Sequence, residues 1–416
     1  MKIMRRFSFG ACLAILLLVC AAVNVQAAPA AAGAAQTGSV STFQGPAQAV
    51  SLGSTHTCAI NSNGGVVCWG GNEFGQLGDG STTDSLTPVA VVGLSSGVAA
   101  ISAGNLHTCA LTTGGGVKCW GDNRANQLSR HSNPVLFSAV PLDIEPLTSG
   151  VIAISAGRDH NCALTSSGVI RCWGDNTYGQ VGVRACQGGQ YPPWQVTLNA
   201  TGAAISAGSW HTCALTTSGG IKCWGGNNYG QLGHGTLTDT DNAIYVTGLT
   251  SGVSALGSAT NHICAILTGG ELRCWGMNFS GQLGDGTTVH AATPVAALGL
   301  GGAVQQISAG GSFSCALVNH LVKCWGKNEF GQLGNASTEN SLQPVVVHNL
   351  PLGAVAVDSG PVHACAITRG GAIKCWGNNQ YGQLGDGSTS ASLVPVEVVG
   401  FEEPQLVNLY LPAVNR

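Results

Sequence analysis

Charged side chains are scarce in this chain of 416 residues, in which Asp, Glu, Lys and Arg together make up only 8%. The 16 basic residues are scattered along the sequence, and the formal net charge is −3. A protein that binds nucleic acid neutralises phosphates with a basic stripe or patch. The sequence therefore predicts that nucleic acid is not a partner.

Catalytic motifs are missing as well. Most of the 19 Asp and Glu residues stand alone in loop-like sequence, so no pair of carboxylates for acid–base chemistry is indicated. No motif for a Ser or Cys nucleophile occurs. The recurring Gly-Gln-Leu-Gly segments lack the strand-to-helix setting of a phosphate-binding loop. We therefore expect a protein that is not an enzyme and that uses no cofactor.

The apolar run from Phe9 to Val23 is short for a membrane span. It follows basic residues and precedes a small-residue cleavage pattern that ends at Ala27 or Ala28, which is typical of a secretory signal peptide. A lipoprotein anchor at Cys20 is the alternative, but Val19 stands where that signal needs a small residue. We expect a protein that is secreted or displayed at the cell surface, without a membrane span.

Glycine and cysteine are abundant, with 62 and 17 residues respectively. Fourteen cysteines fall into seven copies of one unit, which is mostly His-x-Cys-Ala, then eight residues, then Cys-Trp-Gly. Successive first cysteines are 51, 53, 51, 51, 51 and 50 residues apart. The pairs are Cys58 and Cys68, Cys109 and Cys119, Cys162 and Cys172, Cys213 and Cys223, Cys264 and Cys274, Cys315 and Cys324, and Cys365 and Cys375.

This period suits a propeller blade of four short strands and is too long for one hairpin. We therefore predict an all-β, seven-bladed β-propeller of four-stranded blades. The way the ring closes stays open, because Gly38 to Gly45 looks like a further outer strand that either displaces the one near Pro395 to Val399 or lies outside. The predicted organisation is a signal peptide (1–27), an N-terminal extension (28–44), the propeller (45–400) and a C-terminal tail (401–416).

The spacing of each cysteine pair predicts a disulfide within one hairpin. In the fourth copy, a three-residue turn sets Cys213 opposite Cys223. The sixth copy is one residue shorter, and a two-residue turn again sets Cys315 opposite Cys324. Facing residues of a non-hydrogen-bonded pair have Cα atoms about 4.5 Å apart, within the range of a disulfide. Since an exported chain meets an oxidising compartment, we predict seven disulfides, with Cys186 unpaired.

The recurring histidine allows two interpretations. His56, Cys58 and Cys68 share one face of a strand pair and could bind zinc, but the sixth copy has Phe313 in place of the histidine and keeps both cysteines. We therefore predict no metal site and a buried histidine bonded to a neighbouring backbone carbonyl. Loops such as the one at Asp79 supply one carboxylate each, too few for calcium. Each tryptophan faces away from its neighbouring cysteine and should pack between blades.

Three segments carry a resemblance to a known family: Gly-x-x-His-Thr-Cys-Ala-Leu, Cys-Trp-Gly-x-Asn and Tyr/Phe-Gly-Gln-Leu-Gly-Asp-Gly. They occur from Gly53 to Gly80 and from Gly208 to Gly235, where His234 replaces the Asp. With them the chain resembles the regulator of chromosome condensation repeat family over about residues 45–400. The resemblance implies a seven-bladed propeller. Members of that family include guanine nucleotide exchange factors, adaptor modules and a secreted bacterial β-lactamase inhibitory protein.

Copies two and three depart most from the repeat, in the loops after Cys-Trp-Gly. A repeat scaffold needs the same packing residues in each blade, so departures indicate where recognition can lie. Loop drift without a role is the alternative. The candidate partner-binding residues, several of a type enriched at interface hot spots, are Arg124, Arg130, His131, Arg184, Tyr191 and Trp194.

These observations predict an extracellular, non-enzymatic propeller scaffold that binds an unidentified protein partner and is itself a monomer. A secreted enzyme inhibitor similar to the β-lactamase inhibitory propeller is a narrower version of this prediction. Guanine nucleotide exchange activity is the other alternative that the family resemblance implies. The signal peptide and the paired cysteines argue against exchange activity, because a small GTPase is not expected outside the cell.

Overall fold

The chain folds into sheets that each use four consecutive strands. The computed structural model describes residues 46–129, 135–183, 193–350 and 353–402. Within these ranges 28 strands form seven antiparallel sheets, and no helix is present that could span a membrane. The predicted seven-bladed propeller of four-stranded blades is confirmed.

Each blade is described from its axial strand outward. The strands are β1 (Ala49–Leu52), β2 (His56–Ile60), β3 (Val66–Gly70) and β4 (Ser85–Ala90) in blade 1; β5 (Val98–Ala103), β6 (His107–Thr112), β7 (Val117–Asp122) and β8 (Phe137–Asp143) in blade 2; β9 (Val151–Ala156), β10 (His160–Thr165), β11 (Ile170–Gly174) and β12 (Trp194–Gln195) in blade 3; and β13 (Gly202–Ala207), β14 (His211–Thr216), β15 (Ile221–Gly225) and β16 (Thr240–Tyr245) in blade 4. They continue as β17 (Val253–Ser258), β18 (His262–Leu267), β19 (Leu272–Gly276) and β20 (Ala291–Ala296) in blade 5; β21 (Val304–Ala309), β22 (Phe313–Val318), β23 (Leu321–Gly326) and β24 (Ser341–Val346) in blade 6; and β25 (Ala354–Ser359), β26 (His363–Thr368), β27 (Ile373–Gly377) and β28 (Ser392–Glu397) in blade 7.

The seventh blade keeps its own outer strand. β28 pairs with β27, so the final outer strand is not displaced by a segment from the other end of the chain. The ring closes through a buried cluster between blades 7 and 1 that contains Trp69, Leu384 and Phe401. The segment Gly38 to Gly45 lies outside the described residues.

A disulfide closes the central hairpin of every blade, and the paired Cα atoms are 4.0–4.1 Å apart. In the shortened sixth copy, Asn319 and His320 both have positive φ values, 52° and 67°. Two positive φ values in a two-residue hairpin loop define a type I′ turn. This turn keeps Cys315 opposite Cys324, so the predicted register and all seven predicted pairings are confirmed. Cys186 lies outside the described residues.

Small residues on the innermost strands line an axial channel of about 400 Å³. In six of the seven blades a glycine directly follows this strand, and in blade 5 Ala259 takes its place. A Cβ atom at Gly53 would collide with the ring of His56 and lie 2.6 Å from the carbonyl oxygen of Gly104 in the next blade. Glycine therefore allows a histidine to fold back on its own blade while the neighbouring blade approaches closely.

Each blade packs its disulfide against the tryptophan of the next blade. Between blades 1 and 2, Cys58 and Cys68 share a buried cluster with Trp120, and the other six interfaces repeat this pattern. The indole Nε1 of Trp120 donates a hydrogen bond of 2.9 Å to the carbonyl oxygen of Gln76 in the preceding blade. The predicted packing role of the tryptophans is confirmed.

The recurring histidine forms a second polar link between blades. Nε2 of His56 lies 2.8 Å from Oγ1 of Thr108 in the next blade, and that hydroxyl donates to the carbonyl oxygen of Gln76. Because the hydroxyl proton goes to the carbonyl, its oxygen accepts from a histidine protonated on Nε2. The predicted backbone-carbonyl acceptor is therefore wrong, since a side chain of the next blade lies between. Equivalent pairs are His107–Asn161, His160–Thr212, His262–Ser314 and His363–Thr57.

Two interfaces lack this link. Between blades 4 and 5, Ile263 occupies the acceptor position, and neither ring nitrogen of the buried His211 has a hydrogen-bond partner. Between blades 6 and 7, Phe313 replaces the histidine and Ala364 replaces the acceptor, and both are fully buried.

The interface histidines are held neutral by burial, which disfavours the charged imidazolium. His56 also has no thiolate beside it that could share a metal ion, because Cys58 and Cys68 are joined in a disulfide. Burial lowers the pKa of His56, His211, His262 and His363 to about 3 and that of His160 to about 4, and it lowers the pKa of His107.

Candidate functional site

Two sets of connections meet on one face of the ring. In each antiparallel blade, the turn between the first two strands and the loop between the last two emerge at the same end. In blade 1 these are 53–55 and 71–84, joined by a hydrogen bond from Gly71 N to Thr55 O of 2.7 Å. We call the seven sets of such connections the loop face.

An asparagine organises each loop of the loop face. In blade 1, Asn72 Oδ1 accepts from Leu77 N, and its Nδ2 donates to the carbonyl oxygens of Ser81 and Thr83. Asn123 and the asparagine at 176 accept in the same way in blades 2 and 3. The loops that depart from the repeat therefore begin from the same anchor as the others, and their differences lie further along.

Arg124, a predicted partner-binding residue, is held in place on the loop face of blade 2. Its Nε and one terminal nitrogen donate to the two carboxylate oxygens of Asp122 at 2.9 and 3.0 Å. Its guanidinium carbon lies 4.3 Å from the ring centroid of Phe74 in blade 1. The side chain of Arg124 is 54% exposed, whereas that of Asp122 is 4% exposed. The guanidinium group therefore faces solvent above a buried carboxylate. The hydrogen bond to Asp122 raises the pKa of Arg124.

A second arginine in blade 3 repeats this arrangement. Arg158 Nε lies 3.2 Å from Asp159 Oδ2, and the arginine side chain is 46% exposed against 22% for the aspartate. Its guanidinium carbon lies 4.5 Å from the ring centroid of Trp210 in blade 4, and Tyr178 meets that ring edge-on at 5.2 Å. The sequence analysis missed Arg158 and Trp210. The two residues between the repeat glycine and the histidine, compared across copies, would have revealed them.

The two arginines belong to one electrostatic group. Asp159 acts on both guanidinium groups, and burial raises the pKa of this aspartate. We name the group the arginine–aromatic patch. It consists of Phe74, Asp122, Arg124, Arg158, Asp159, Tyr178 and Trp210.

The other candidate residues lie elsewhere. Trp194 belongs to outer strand β12, where it stands opposite Cys172 and packs partly buried against the cluster between blades 3 and 4. It is therefore part of the blade edge and not of the patch. Arg130, His131, Arg184 and Tyr191 lie outside the described residues.

A further aromatic group occupies the loop face of blades 4 and 5. The ring centroids of Phe279 and His290 lie 4.3 Å apart, and Tyr229 lies 6.0 Å from Phe279. Phe279 is 65% exposed. Burial lowers the pKa of His290. The loop of copy five, which follows the repeat consensus closely in sequence, thus presents an exposed aromatic side chain.

These features define a class of protein, a disulfide-closed seven-bladed propeller with arginine and aromatic side chains on one face. In the described residues, no group of three or more His, Cys, Asp or Glu side chains is placed to hold a metal ion. Residues 24–316 match the model of the RCC1-like domain, and residues 304–332, 354–383, 321–367 and 371–407 match models of the regulator of chromosome condensation (RCC1) repeat. The chain belongs to this family.

Named relatives share part of the chain. The ultraviolet-B receptor UVR8 of Arabidopsis thaliana is 31% identical over 251 residues, which cover 59% of this chain and 57% of the receptor. The secretion-regulating guanine nucleotide exchange factor of Bos taurus is 30% identical over 281 residues, 61% of this chain and 60% of that protein. The match thus spans less than two thirds of either relative.

Solved structures agree on the fold. The crystal structure of human WBSCR16 superposes with a TM-score of 0.71 at 23% identity and covers 79% of this chain and 92% of that one. An identity this low supports the shared propeller and carries no statement about a shared ligand.

Proposed function

We propose that this protein is an extracellular, non-enzymatic scaffold that binds a protein partner through the loop face of blades 2 to 4. Seven disulfides fit an oxidising compartment, since cytosolic thiols are kept reduced. The predicted signal peptide supports the same location.

The observation that carries the proposal is the pair of half-exposed guanidinium groups on neighbouring blades. Arg124 and Arg158 each rest on an aromatic ring and on a less exposed carboxylate. Arginine, tryptophan and tyrosine are the residues most enriched at interface hot spots. Because each arginine is already held by a carboxylate and an aromatic ring, its side chain loses little entropy when a partner engages the remaining N–H donors.

The candidates outside the described residues belong to the same proposal. Arg130 and His131 follow Arg124 in the loop of copy two, and Arg184 and Tyr191 lie in the loop of copy three. We propose that they bind the same partner as the arginine–aromatic patch.

The test begins with proteins that are cross-linked to the tagged chain in its native culture medium or at the cell surface. A purified partner is then titrated against the double variant Arg124→Ala/Arg158→Ala. We expect the Kd to rise at least tenfold, because one hot-spot side chain is typically worth about 2 kcal/mol and about 1.4 kcal/mol is a factor of ten.

Blade 6 supplies the matched control. Lys327 and Glu329 occupy the positions of Asp122 and Arg124 and form an ion pair of 2.9 Å with the charges exchanged. Lys327→Ala/Glu329→Ala should leave the Kd unchanged. A loss of binding in both variants, or in the control alone, contradicts the proposal. Blade 5 is unsuitable as a control, because Phe279 is exposed there.

The two alternatives predict different assays. An enzyme inhibitor is a special case of the scaffold, and its captured partner would be an enzyme that loses activity on binding. Exchange activity is suggested by the bovine relative described as an exchange factor. It requires this chain to accelerate release of a bound fluorescent guanine nucleotide from a small GTPase. Acceleration by the purified chain would replace the scaffold proposal.

A further inference from the structure

One level of the axial channel wall is built from hydroxyl groups. Six of its seven positions carry a side chain, and all seven stand opposite the first cysteine of their own hairpin. The level consists of Ser51, Ser102, Ser155, Ser206, Gly257, Ser308 and Asp358.

The serines join neighbouring blades, and Asp358 does the same with a charged group. Ser51 Oγ accepts from the backbone N–H of Ala103 in the next blade at 3.0 Å. Asp358 Oδ2 accepts from Leu52 N of blade 1 at 3.0 Å, and its Oδ1 accepts from Ser308 Oγ of blade 6 at 2.9 Å. A serine at position 358 would accept from the same backbone N–H, so the contact between blades 7 and 1 does not require an acidic side chain.

The carboxyl group of Asp358 has no cationic partner. Within the described ranges it forms no ion pair, and its hydrogen-bond partners are neutral. The carboxyl lies deep among protein atoms, which raises its pKa, yet it is part of the channel wall. Arg158, the other charged residue among those lining the channel, lies beyond the end of β9, in the turn on the loop face. It is also engaged with Asp159.

A cation bound in the channel would stabilise the ionised form of Asp358, which burial alone disfavours because an uncompensated buried charge is costly. A calcium ion needs six or more oxygen ligands, whereas this level offers one carboxylate with most of its acceptor sites already used. An ammonium group has one charge and three N–H donors. The carboxylate and the two adjacent serine oxygens provide three acceptors.

We propose that the axial channel binds a primary ammonium group, with Asp358 as its counter-ion and the hydroxyl oxygens of Ser51 and Ser308 as its other acceptors. The ammonium belongs either to a small amine or to a lysine side chain of a bound protein. This inference goes beyond the proposed function, because it concerns the axial channel and not the loop face. It can be tested on the isolated chain.

The experiment measures binding of propylammonium chloride to the full chain by isothermal titration calorimetry at pH 7.5. Propanol serves as the neutral analogue, and potassium chloride at equal concentration controls for ionic strength. We expect saturable binding of propylammonium alone. Asp358→Ser, which installs the residue found at this level in five other blades, should weaken it at least tenfold.

Each outcome decides for or against the site. Absence of saturable binding to the wild-type chain, equal heat from potassium chloride, or unchanged affinity of Asp358→Ser overturns the proposal. If Asp358→Ser does not fold, Asp358→Asn keeps the acceptor for Leu52 N and removes the charge, and it must lose binding by the same factor.

Two peptides distinguish the sources of the ammonium. A blocked Gly-Gly-Lys-Gly-Gly peptide that binds as tightly as propylammonium, with its glutamine counterpart inactive, assigns the site to a lysine side chain. Binding of propylammonium without the peptide assigns it to a small amine. Since neither result involves the arginine–aromatic patch, failure here is separate from failure of the proposed partner surface.

Discussion

The interface between blades 4 and 5 and the interface between blades 6 and 7 have lost the same hydrogen-bond acceptor and differ in what remains. In the first, Ile263 has replaced the acceptor, and His211 is still present without a partner. In the second, Ala364 has replaced it and Phe313 has replaced the histidine. The ring therefore contains one matched apolar pair and one mismatched pair.

From this difference we expect residues about 50 positions apart, such as 211 and 263, to form one packing unit. A buried N–H left without a partner costs about 1–3 kcal/mol. The interface of blades 4 and 5 tolerates this cost because other links remain, including Trp275 Nε1 to Gln231 O at 3.0 Å and Ser258 N to Ser206 Oγ at 2.8 Å. An interface can thus lack the hydrogen-bond acceptor on one blade while the other blade keeps its histidine.

Acid should have the largest effect on stability, because it acts on every interface that has a histidine. The six buried histidines have folded pKa values lowered below the ordinary value of about 6.5. The unfolded chain therefore binds more protons below pH 6.5. The contribution of the neutral histidines to the free energy of unfolding is complete above that pH. It falls as the pH drops toward their pKa values in the folded protein, about 3 to 4.

Each histidine contributes up to about 1.4 kcal/mol per pH unit to this loss. Asp159 and Asp358 have raised pKa values and offset a minor part of it. The measurement is the free energy of unfolding from urea titrations at pH 7.5, 6.0 and 5.0 with the disulfides intact. Equal stability at pH 7.5 and pH 5.0 would show that the imidazoles are not held neutral.

The next largest effect on the free energy of unfolding is expected when the interface of blades 4 and 5 is given the residue pair of blades 6 and 7. Ile263→Ala alone should cost about 2–5 kcal/mol, because it leaves a cavity in a packed cluster. His211→Phe alone should cost about 1–3 kcal/mol through overpacking against Ile263. The double variant recreates the Phe313 and Ala364 pair, so we expect it to be more stable than either single variant.

The double variant also tests the acid prediction. It has five buried histidines, so its proton uptake on unfolding at pH 5 should be one lower than that of the wild-type chain. Additive losses of stability in the two single variants would contradict the idea that residues 211 and 263 form one unit.

A matched interface can be damaged in the opposite direction. Thr212→Val keeps the side-chain shape but removes the hydroxyl that lies 2.8 Å from His160 Nε2 and donates to Gln180 O at 2.9 Å. We expect a loss of about 1–3 kcal/mol in urea unfolding. Thr212→Ser is the control, because Ser314 performs this role between blades 5 and 6. Unchanged stability of Thr212→Val, or a larger loss in Thr212→Ser than in Thr212→Val, would show that the hydroxyl does not stabilise this interface.

The sequence alone was sufficient for the blades and for the disulfides, because each depends on spacing within one repeat. The two-residue turn at Asn319 and His320 shows this well, since a deletion there left the cysteine register unchanged. The acceptor of each histidine was missed because it lies in the next blade, 52 residues away for His56 and Thr108.

The candidate site was predicted in part for a related reason. Arg124 lies in a loop that differs visibly from its repeat equivalents, whereas Arg158 and Trp210 occupy variable positions in short turns whose flanking glycine and histidine follow the repeat. Their contact across blades 3 and 4 depends on the closed ring. A comparison of equivalent positions in all seven copies, including the residue between each histidine and cysteine, contains both signals.

Restoration of the missing acceptor should give the smallest and most specific effect. Ile263→Thr and Ile263→Val remove similar volume and differ in whether a hydroxyl replaces a methyl group. A buried hydroxyl without partners would favour valine, but here His211 Nε2 can donate to the threonine oxygen and the hydroxyl can donate to Gln231 O, as Thr212 does to Gln180 O. We therefore expect Ile263→Thr to be more stable than Ile263→Val by about 1 kcal/mol, the net value of an ordinary hydrogen bond. Urea midpoints of the two variants at pH 7.5 provide the measurement. A higher midpoint for Ile263→Val would show that His211 gains no partner from the hydroxyl, and that the mismatch between blades 4 and 5 has a cause other than the lost acceptor.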